Sequence, residues 1–255
     1  MAWLGFNLRN ETCGDLMYIL IVALHSIEKE SKVKFEITLE TFEYVLKLLS
    51  DNGYKSITLG QFYDFTKGIG TLPDKPVVIT DDDGYQNIYT NAYPLLEKYG
   101  FSMTLFLSLE YIMELTANRV TMNVPFMPPR QMLLWKEVKE LASKGFDIQS
   151  HGVYHGNYST YQLDKSIWNI KRSKEVIENE IQNECAFHAW CNSNTDQRLW
   201  DKMPELGIKG FLRYSGGIEN TSTVDWKAMK RVYIEEIMSR ETIRERLLVK
   251  GAGDK

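Results

Sequence analysis

Residues 77–107 read VVITDDDGYQNIYTNAYPLLEKYGFSMTLFL, and the fold is decided by the pattern of this stretch. It opens with a β-branched run at residues 77–80, which leads into three consecutive aspartates and Gly84. A helical pattern at residues 87–99 ends at Gly100, and residues 102–108 form a second apolar run. Because a predicted helix separates two predicted strands, the stretch predicts a βαβ unit with parallel strands.

The same alternation of strand and helix extends in both directions. Further strands are predicted at residues 16–24, 54–59, 146–150, 185–190 and 208–212, and further helices at 38–52, 59–66, 131–144, 163–182 and 196–206. This order predicts a mainly parallel sheet with helices outside, either a barrel or an open sheet. Residues 110–130 lack a clear period and are predicted as a long loop that forms part of a substrate wall. No linker or repeat is visible, so residues 1–255 are predicted to form one domain.

Composition limits the classes of function that fit. The chain has 255 residues, of which 44% are hydrophobic, and a net charge of −4, so no nucleic-acid partner is expected. The apolar run at 16–24 is shorter than the roughly 20 residues that cross a bilayer, and no signal-peptide pattern surrounds it, which predicts a cytoplasmic protein without a membrane span. Three cysteines (Cys13, Cys185 and Cys191) without CxxC spacing are interpreted as free thiols that pack in the interior.

Three predicted strand ends carry residues that suit catalysis. They are the aspartates at 81–83, the pair His151 and His155, and His25. In a parallel α/β fold such strand ends converge on one rim. Adjacent carboxylates repel one another, and a divalent cation would compensate that repulsion. Two histidines four residues apart and one aspartate make three ligands, which is the pattern of a catalytic zinc site with a position left for water.

Each of these features has a simpler interpretation when taken alone. An Asp-Asp-Gly sequence is often a solvated turn, His151 and His155 suit a surface or a cap, and His25 suits an ordinary exposed position. Their joint placement after predicted strands favours a site. Two other functions fit the same residues: a carbohydrate-binding protein that has lost its catalysis, and a non-haem iron oxygenase with two histidines and one carboxylate.

Two segments resemble the polysaccharide deacetylases, also called carbohydrate esterase family 4 or the NodB-homology domain. Residues 77–107 resemble the family's first motif region, usually written TFDDG, and residues 133–155, LLWKEVKELASKGFDIQSHGVYH, resemble the second, with its SHxxxH metal motif. The similarity extends from about residue 16 to residue 234. It implies a distorted, incomplete (β/α) barrel.

The resemblance also implies roles for individual residues. Asp82 matches the general base, and Asp83, His151 and His155 match the metal ligands. The segment around LHSI resembles the permuted branch of the family, the poly-N-acetylglucosamine deacetylases, in which an early histidine is the general acid, so His25 takes that role here.

The implied activity is the removal of N-acetyl or O-acetyl groups from an acetylated amino-sugar glycan or its precursor, with release of acetate. The implied cofactor is one divalent metal, zinc, with cobalt or nickel as alternatives.

The sequence departs from the family pattern at two places. Asp81 stands where the family has Phe, and residues 187–192, FHAWCN, retain little of the third motif. Trp190 and Tyr85 are candidate substrate contacts, although Trp190 is equally interpreted as a core residue after a strand. His188 is either a second proton-transfer group or an outward residue of the same strand.

Overall fold

Thirteen strands and seven α-helices lie in the part of the chain that the computed structural model describes, which is residues 17–31, 33, 35–112, 120–122, 128–193 and 195–248. The strands are β1 Tyr18–Leu24, β2 Ser26–Glu28, β3 Glu36–Thr38, β4 Lys55–Ser56, β5 Pro76–Asp83, β6 Thr104–Leu107, β7 Thr121–Met122, β8 Arg130–Gln131, β9 Asp147–Ser150, β10 Phe187–Ala189, β11 Gly210–Leu212, β12 Glu219–Asn220 and β13 Val232–Tyr233. The helices are α1 Leu39–Asp51, α2 Leu59–Thr66, α3 Tyr93–Tyr99, α4 Trp135–Ser143, α5 Leu163–Ile181, α6 Met203–Leu206 and α7 Arg240–Leu247. Cys13 and parts of the predicted 110–130 loop lie outside the described residues.

The main sheet has the strand order β11-β10-β9-β6-β5-β1-β12. Neighbours from β11 to β1 are parallel, and the edge strand β12 is antiparallel to β1. The sheet curls into a half-barrel, which confirms the incomplete (β/α) barrel expected from the sequence. The carboxyl ends of the parallel strands therefore meet at one rim.

The sheet separates two hydrophobic cores, and β5 contributes to both. Ile79 faces the helices and packs in the larger cluster with residues of α1, α3 and α4. Val78 packs with Phe106 in the interior of the half-barrel. Because side chains alternate along a strand, the next two inward positions are Thr80 and Asp82. Along its inward face, β5 thus begins with apolar residues and ends with polar groups at the rim.

The helices follow the sequence pattern with three exceptions. The predicted helix at 131–144 begins only at Trp135, because Gln131 pairs with β7 as part of β8. α1 confirms the predicted helix at 38–52, and its N-cap Thr38 accepts a hydrogen bond from the Thr41 N–H at 3.1 Å. The predicted helix at 87–99 begins as a π-helix, Ile88–Ala92, before α3, because Pro94 in the first turn of α3 has no N–H to donate. The predicted helix at 196–206 likewise divides into a 3-10 segment, Gln197–Lys202, and α6. Among the described residues, no helix has the length and apolar character needed to cross a membrane.

Residues 226–233, here called the closing segment, cross the gap between the two ends of the half-barrel. At one end, Met229 bonds to β11, where it donates to the Phe211 carbonyl oxygen at 2.9 Å and accepts from the Arg213 N–H at 2.8 Å. At the other end, β13 pairs in parallel with β1. The sequence pattern does not predict this segment, because its strand is only two residues long. Arg231 lies between the two attachments.

Candidate active site

The end of β5 brings carboxylates to the rim in different orientations. Asp82 continues the inward face of Val78 and Thr80. The alternation ends at Asp83, whose φ of 78° lies in the left-handed region, which aspartate tolerates better than most residues. Asp83 therefore lies against the residues that follow β9.

Arg231 forms a bidentate ion pair with Asp82. Nη1 donates to Oδ1 and Nη2 to Oδ2, each at 2.7 Å, and both side chains are buried. Arg231 also donates to Thr80 Oγ1 at 3.0 Å and to the Arg213 carbonyl oxygen at 2.6 Å. Burial by itself would raise the pKa of Asp82, but the charge and hydrogen bonds of Arg231 outweigh it and lower the pKa. Asp82 is thus a carboxylate held in one orientation.

Two imidazoles lie against Asp83. The Nε2 atoms of His151 and His155 are each 3.4 Å from Asp83 Oδ1. His151 Nδ1 is 2.8 Å from the Ala189 carbonyl oxygen, which can only accept, so Nδ1 carries hydrogen. In its neutral form His151 therefore presents the Nε2 lone pair towards Asp83.

The backbone of residues 151–155, here called the histidine turn, is held by side chains of neighbouring elements. Asn169 of α5 accepts hydrogen bonds from the N–H groups of Val153 at 2.7 Å and Tyr154 at 2.9 Å. The backbone N–H of His155 donates to Glu110 Oε1 at 2.7 Å. These bonds fix the orientation of both imidazoles.

Charges within this cluster shift the pKa values of its members. Burial would raise the pKa of Asp83, but His155 and His151 outweigh it and lower the pKa. Burial would lower the pKa of His155, but Asp83 outweighs it and raises the pKa to about 9. The same burial effect on His151 is outweighed by Cys191 and Asp83, which raise its pKa. Mutual shifts of this kind are typical of functional sites.

Asp83, His151 and His155 fit a divalent cation. Two ligands about 2.0 Å from a tetrahedral zinc ion lie about 3.3 Å apart, and the observed separations from Asp83 Oδ1 are 3.4 Å. Asp83 Oδ1 is also buried and has no hydrogen-bond partner within the described part of the chain. Three such donors leave a fourth tetrahedral position for water.

Cys191 lies in the same cluster. Its sulfur and the ligand nitrogens of His151 and His155 are all within 4.8 Å of one another. The Cys191 thiol is buried and lies 3.3 Å from the His151 carbonyl oxygen, to which it donates. Burial would raise the pKa of Cys191, but His151 outweighs it and lowers the pKa to about 6. Cys185 is buried and free, as expected of a packing residue, whereas Cys191 has polar neighbours.

His25 follows β1 and lies beside Asp82. Its Nε2 is 4.0 Å from Asp82 Oδ2, and its side chain is 16% exposed, against 2% for Asp82. Burial lowers the pKa of His25, and the opposing effect of the Asp82 charge is smaller. His25 is therefore a neutral imidazole in the more open part of the site.

Asp81 takes no part in this arrangement. It shares the outer, helix-facing side of β5 with Ile79, is fully buried, and neither carboxyl oxygen has a hydrogen-bond partner in the described residues. Burial, followed by the charges of Asp82 and Asp83, raises its pKa well above the usual range. The expectation that one cation compensates all three carboxylates is corrected: Asp83 alone of the three meets the histidines, Asp82 is paired with Arg231, and Asp81 is a neutral acid.

The remaining candidates lie in the interior. Trp190 is 1% exposed and stacks on Phe211, with ring centroids 4.5 Å apart, so the structure does not bring it to an accessible surface. His188 is fully buried, and its Nδ1 is 2.9 Å from Ser150 Oγ. Burial lowers its pKa well below the usual range.

Tyr85 is also buried, although it lies beside Asp83. Its hydroxyl is 3.4 Å from the Met122 sulfur and interacts with the Asp83 carboxylate. Burial, followed by the Asp83 charge, raises its pKa. Tyr85 therefore contributes a neutral hydroxyl beside Asp83.

A known family model matches the part of the chain that contains most of these residues. The family model described as polysaccharide deacetylase matches residues 69–211, more than half of the chain. The chain belongs to the polysaccharide deacetylase family. The matched segment contains Asp82, Asp83 and the histidine turn, whereas His25 and Arg231 lie outside it.

Curated relatives of this chain include two enzymes named poly-beta-1,6-N-acetyl-D-glucosamine N-deacetylase. The enzyme of Escherichia coli (strain K12) is 26% identical over 262 residues, covering 89% of this chain and 38% of the relative. That of Staphylococcus aureus (strain MSSA476) is 29% identical over 240 residues, covering 89% and 76%. YxkH of Bacillus subtilis (strain 168) is 28% identical over 164 residues, covering 64% and 53%. The chain thus spans about half or less of two of these relatives.

Solved structures share the deacetylase fold. The Streptococcus pyogenes deacetylase PplD in complex with acetate superposes with a TM-score of 0.78 at 20% identity, covering 92% of this chain and all of that one (100%). IcaB from Ammonifex degensii superposes with a TM-score of 0.73 at 16% identity, covering 91% and 97%.

Sequence reasoning misses two residues of this candidate site. Arg231 gives no local signal, since it is one basic residue in a short unpatterned segment. The available signal is indirect: a buried Asp82 carboxylate needs a cationic partner, and Arg231 is that partner. Cys191 was interpreted as packing. Its position directly after a strand, like that of His151, is the signal that was available.

Proposed function

We propose that the chain is a metal-dependent carbohydrate deacetylase that hydrolyses N-acetyl or O-acetyl groups of an amino-sugar glycan and releases acetate. The observation that carries the proposal is that the Nε2 atoms of His151 and His155 each lie 3.4 Å from Asp83 Oδ1. Asp82 and His25 lie beside this group. This arrangement offers a cation site, a fixed carboxylate and an imidazole within one rim. Amide hydrolysis needs a nucleophile, a polarised carbonyl group and a proton donor, and these groups can supply all three.

Asp83, His151 and His155 would hold the metal, for which zinc suits two imidazoles and one carboxylate, with cobalt or nickel as alternatives. A bound divalent cation supplies a water of lowered pKa and polarises the substrate carbonyl. Asp82 takes the proton of the attacking water, and Arg231 keeps Asp82 ionised and oriented for this step. The oxygen adds to the carbonyl carbon, and the carbon–nitrogen bond then breaks.

His25 delivers the proton to the leaving nitrogen. Burial keeps His25 neutral, so His25 has to accept a proton before it can donate one. Asp82, which takes a proton from the attacking water, lies 4.0 Å away and can pass that proton to His25. The sum is water plus amide giving acetate plus the amine in its protonated, ammonium form. The partial exposure of His25 suits a group that meets substrate from outside.

The substrate class follows from the named relatives. Two of them are deacetylases of poly-beta-1,6-N-acetyl-D-glucosamine, and each aligns with 89% of this chain. We therefore propose a β-1,6-linked N-acetylglucosamine chain, or a precursor that carries the same acetylated amino sugar.

The test is acetate release from β-1,6-linked N-acetylglucosamine oligomers by the zinc-loaded protein. Asp82→Asn is expected to lower the rate by about 10²–10⁴-fold, because it removes the proton acceptor but not the metal ligands. Metal content, measured by elemental analysis, is expected to stay near that of the unchanged protein.

The matched control is Asp147→Asn at the opposite end of β9, where the carboxylate accepts from Gln149 and Thr104 rather than facing the rim. It is expected to retain acetate release. Oligomer binding without any acetate release by the unchanged, zinc-loaded protein would instead support the carbohydrate-binding alternative and overturn the proposal.

A further inference from the structure

Cys191 is a potential metal ligand that the aspartate and histidine motifs do not include. It lies two residues after the end of β10, the strand next to β9, so its side chain reaches the rim where the histidine turn begins. Its sulfur lies within 4.8 Å of the ligand nitrogens of both His151 and His155. The Cys191 side chain is fully buried.

A second observation on the same cluster points to a cation. Asp83 Oδ1 is buried, has no hydrogen-bond partner among the described residues, and lies 3.4 Å from each imidazole that Cys191 approaches. Buried polar oxygens are seldom left without a hydrogen-bond partner, so an oxygen that lacks one and lies beside two imidazoles suits a bound cation. The same two imidazoles are thus approached by the Asp83 oxygen and by the Cys191 sulfur.

We infer that Cys191 is a fourth protein donor to the divalent metal of this site, and that its sulfur makes the site select zinc or cobalt over magnesium or manganese. This inference rests on the metal-binding part of the proposed function. Thiolate is a soft ligand that binds zinc and its neighbours well, whereas magnesium and manganese prefer oxygen. Four protein donors are compatible with hydrolysis, because catalytic zinc can expand to five ligands and admit water.

The experiment uses the full chain loaded with cobalt(II), with bound metal measured by elemental analysis and the absorption spectrum recorded alongside. Sulfur bound to cobalt gives an intense charge-transfer band in the near ultraviolet, which oxygen and nitrogen ligands do not give. The unchanged protein and Cys185→Ala are expected to show the band. Cys191→Ala is expected to lose it and to bind zinc at least about tenfold more weakly, because losing even an outer hydrogen-bond partner of a metal ligand typically costs about 10–100-fold in affinity.

Cys185→Ala is the matched control, because Cys185 is also a buried free thiol but contacts the α5 side of the sheet, where its carbonyl accepts from Lys174. Stoichiometric cobalt binding without the band in the unchanged protein would overturn the role of Cys191 and leave the proposed hydrolysis standing. The band together with no acetate release would overturn the hydrolysis and support the role of Cys191. Failure to bind cobalt or zinc at all would overturn both.

Discussion

Asp81, Asp82 and Asp83 are consecutive on β5, yet each carboxyl group meets a different environment. Asp82 faces inward and pairs with Arg231, Asp83 turns to the histidines through its left-handed φ, and Asp81 points outward into an apolar layer. Side-chain alternation and one change of φ therefore separate three identical residues into an ion pair, a candidate metal ligand and a neutral acid.

Replacing Asp81 tests whether it is a buried acid that costs stability. Asp81→Val is expected to raise the free energy of unfolding by about 1–3 kcal/mol, because it removes a buried polar group without a hydrogen-bond partner in the described residues. Urea denaturation at neutral pH measures the change.

The control for this substitution is Thr80→Val on the preceding position. Thr80 Oγ1 donates to the Val22 carbonyl oxygen and accepts from Arg231, so its loss is expected to lower the stability by about 1–3 kcal/mol. Equal losses of stability in both variants would show that Asp81 has stabilising contacts and would contradict the assignment.

At the scale of elements, the histidine turn depends on the packing of α5 and the segment before it. Asn169 of α5 binds two N–H groups of the turn, and Gly152 within it has a φ of 95°. A Cβ at Gly152 would lie 2.4 Å from the Tyr158 hydroxyl, so both conformation and space require glycine.

Gly152→Ala is expected to lower the free energy of unfolding by more than about 2 kcal/mol, since it adds a steric clash to backbone strain. Zinc affinity, measured by titration, is expected to fall with it because His151 is displaced. Gly145→Ala is the matched control: its φ is 89°, but nothing lies within 4 Å of the added Cβ. If the two variants lose equal stability, the contact with Tyr158 is irrelevant and the interpretation fails.

At the scale of the whole molecule, the site joins the two ends of the described chain. His25 follows the first strand, Arg231 lies in the closing segment, and both meet Asp82 in the middle of the sheet. The pairing of β13 with β1 holds this arrangement and bridges the open side of the half-barrel. The same closing segment therefore bridges the half-barrel and supplies Arg231 to the site.

Breaking the central ion pair is expected to affect the whole fold. Arg231→Met is expected to lower the free energy of unfolding by about 3–5 kcal/mol, because it leaves the Asp82 charge buried and unpaired. The double variant Asp82→Asn/Arg231→Met is expected to recover part of that loss in thermal or urea unfolding. Should the double variant be no more stable than Arg231→Met, the loss would not come from the unpaired charge.

Periodicity and strand-end chemistry in the sequence by themselves determined the parallel α/β architecture and placed the aspartates at 81–83, His151 and His155 at one rim, because parallel strands bring their carboxyl ends together. Only the tertiary structure decided which aspartate faces which partner, since φ at Asp83 and the partner Arg231 depend on contacts distant in sequence. Burial of Trp190 and the approach of Cys191 to the histidines were decided in the same way. A short segment such as β13 has no period of its own, so only its pairing with β1 defines it.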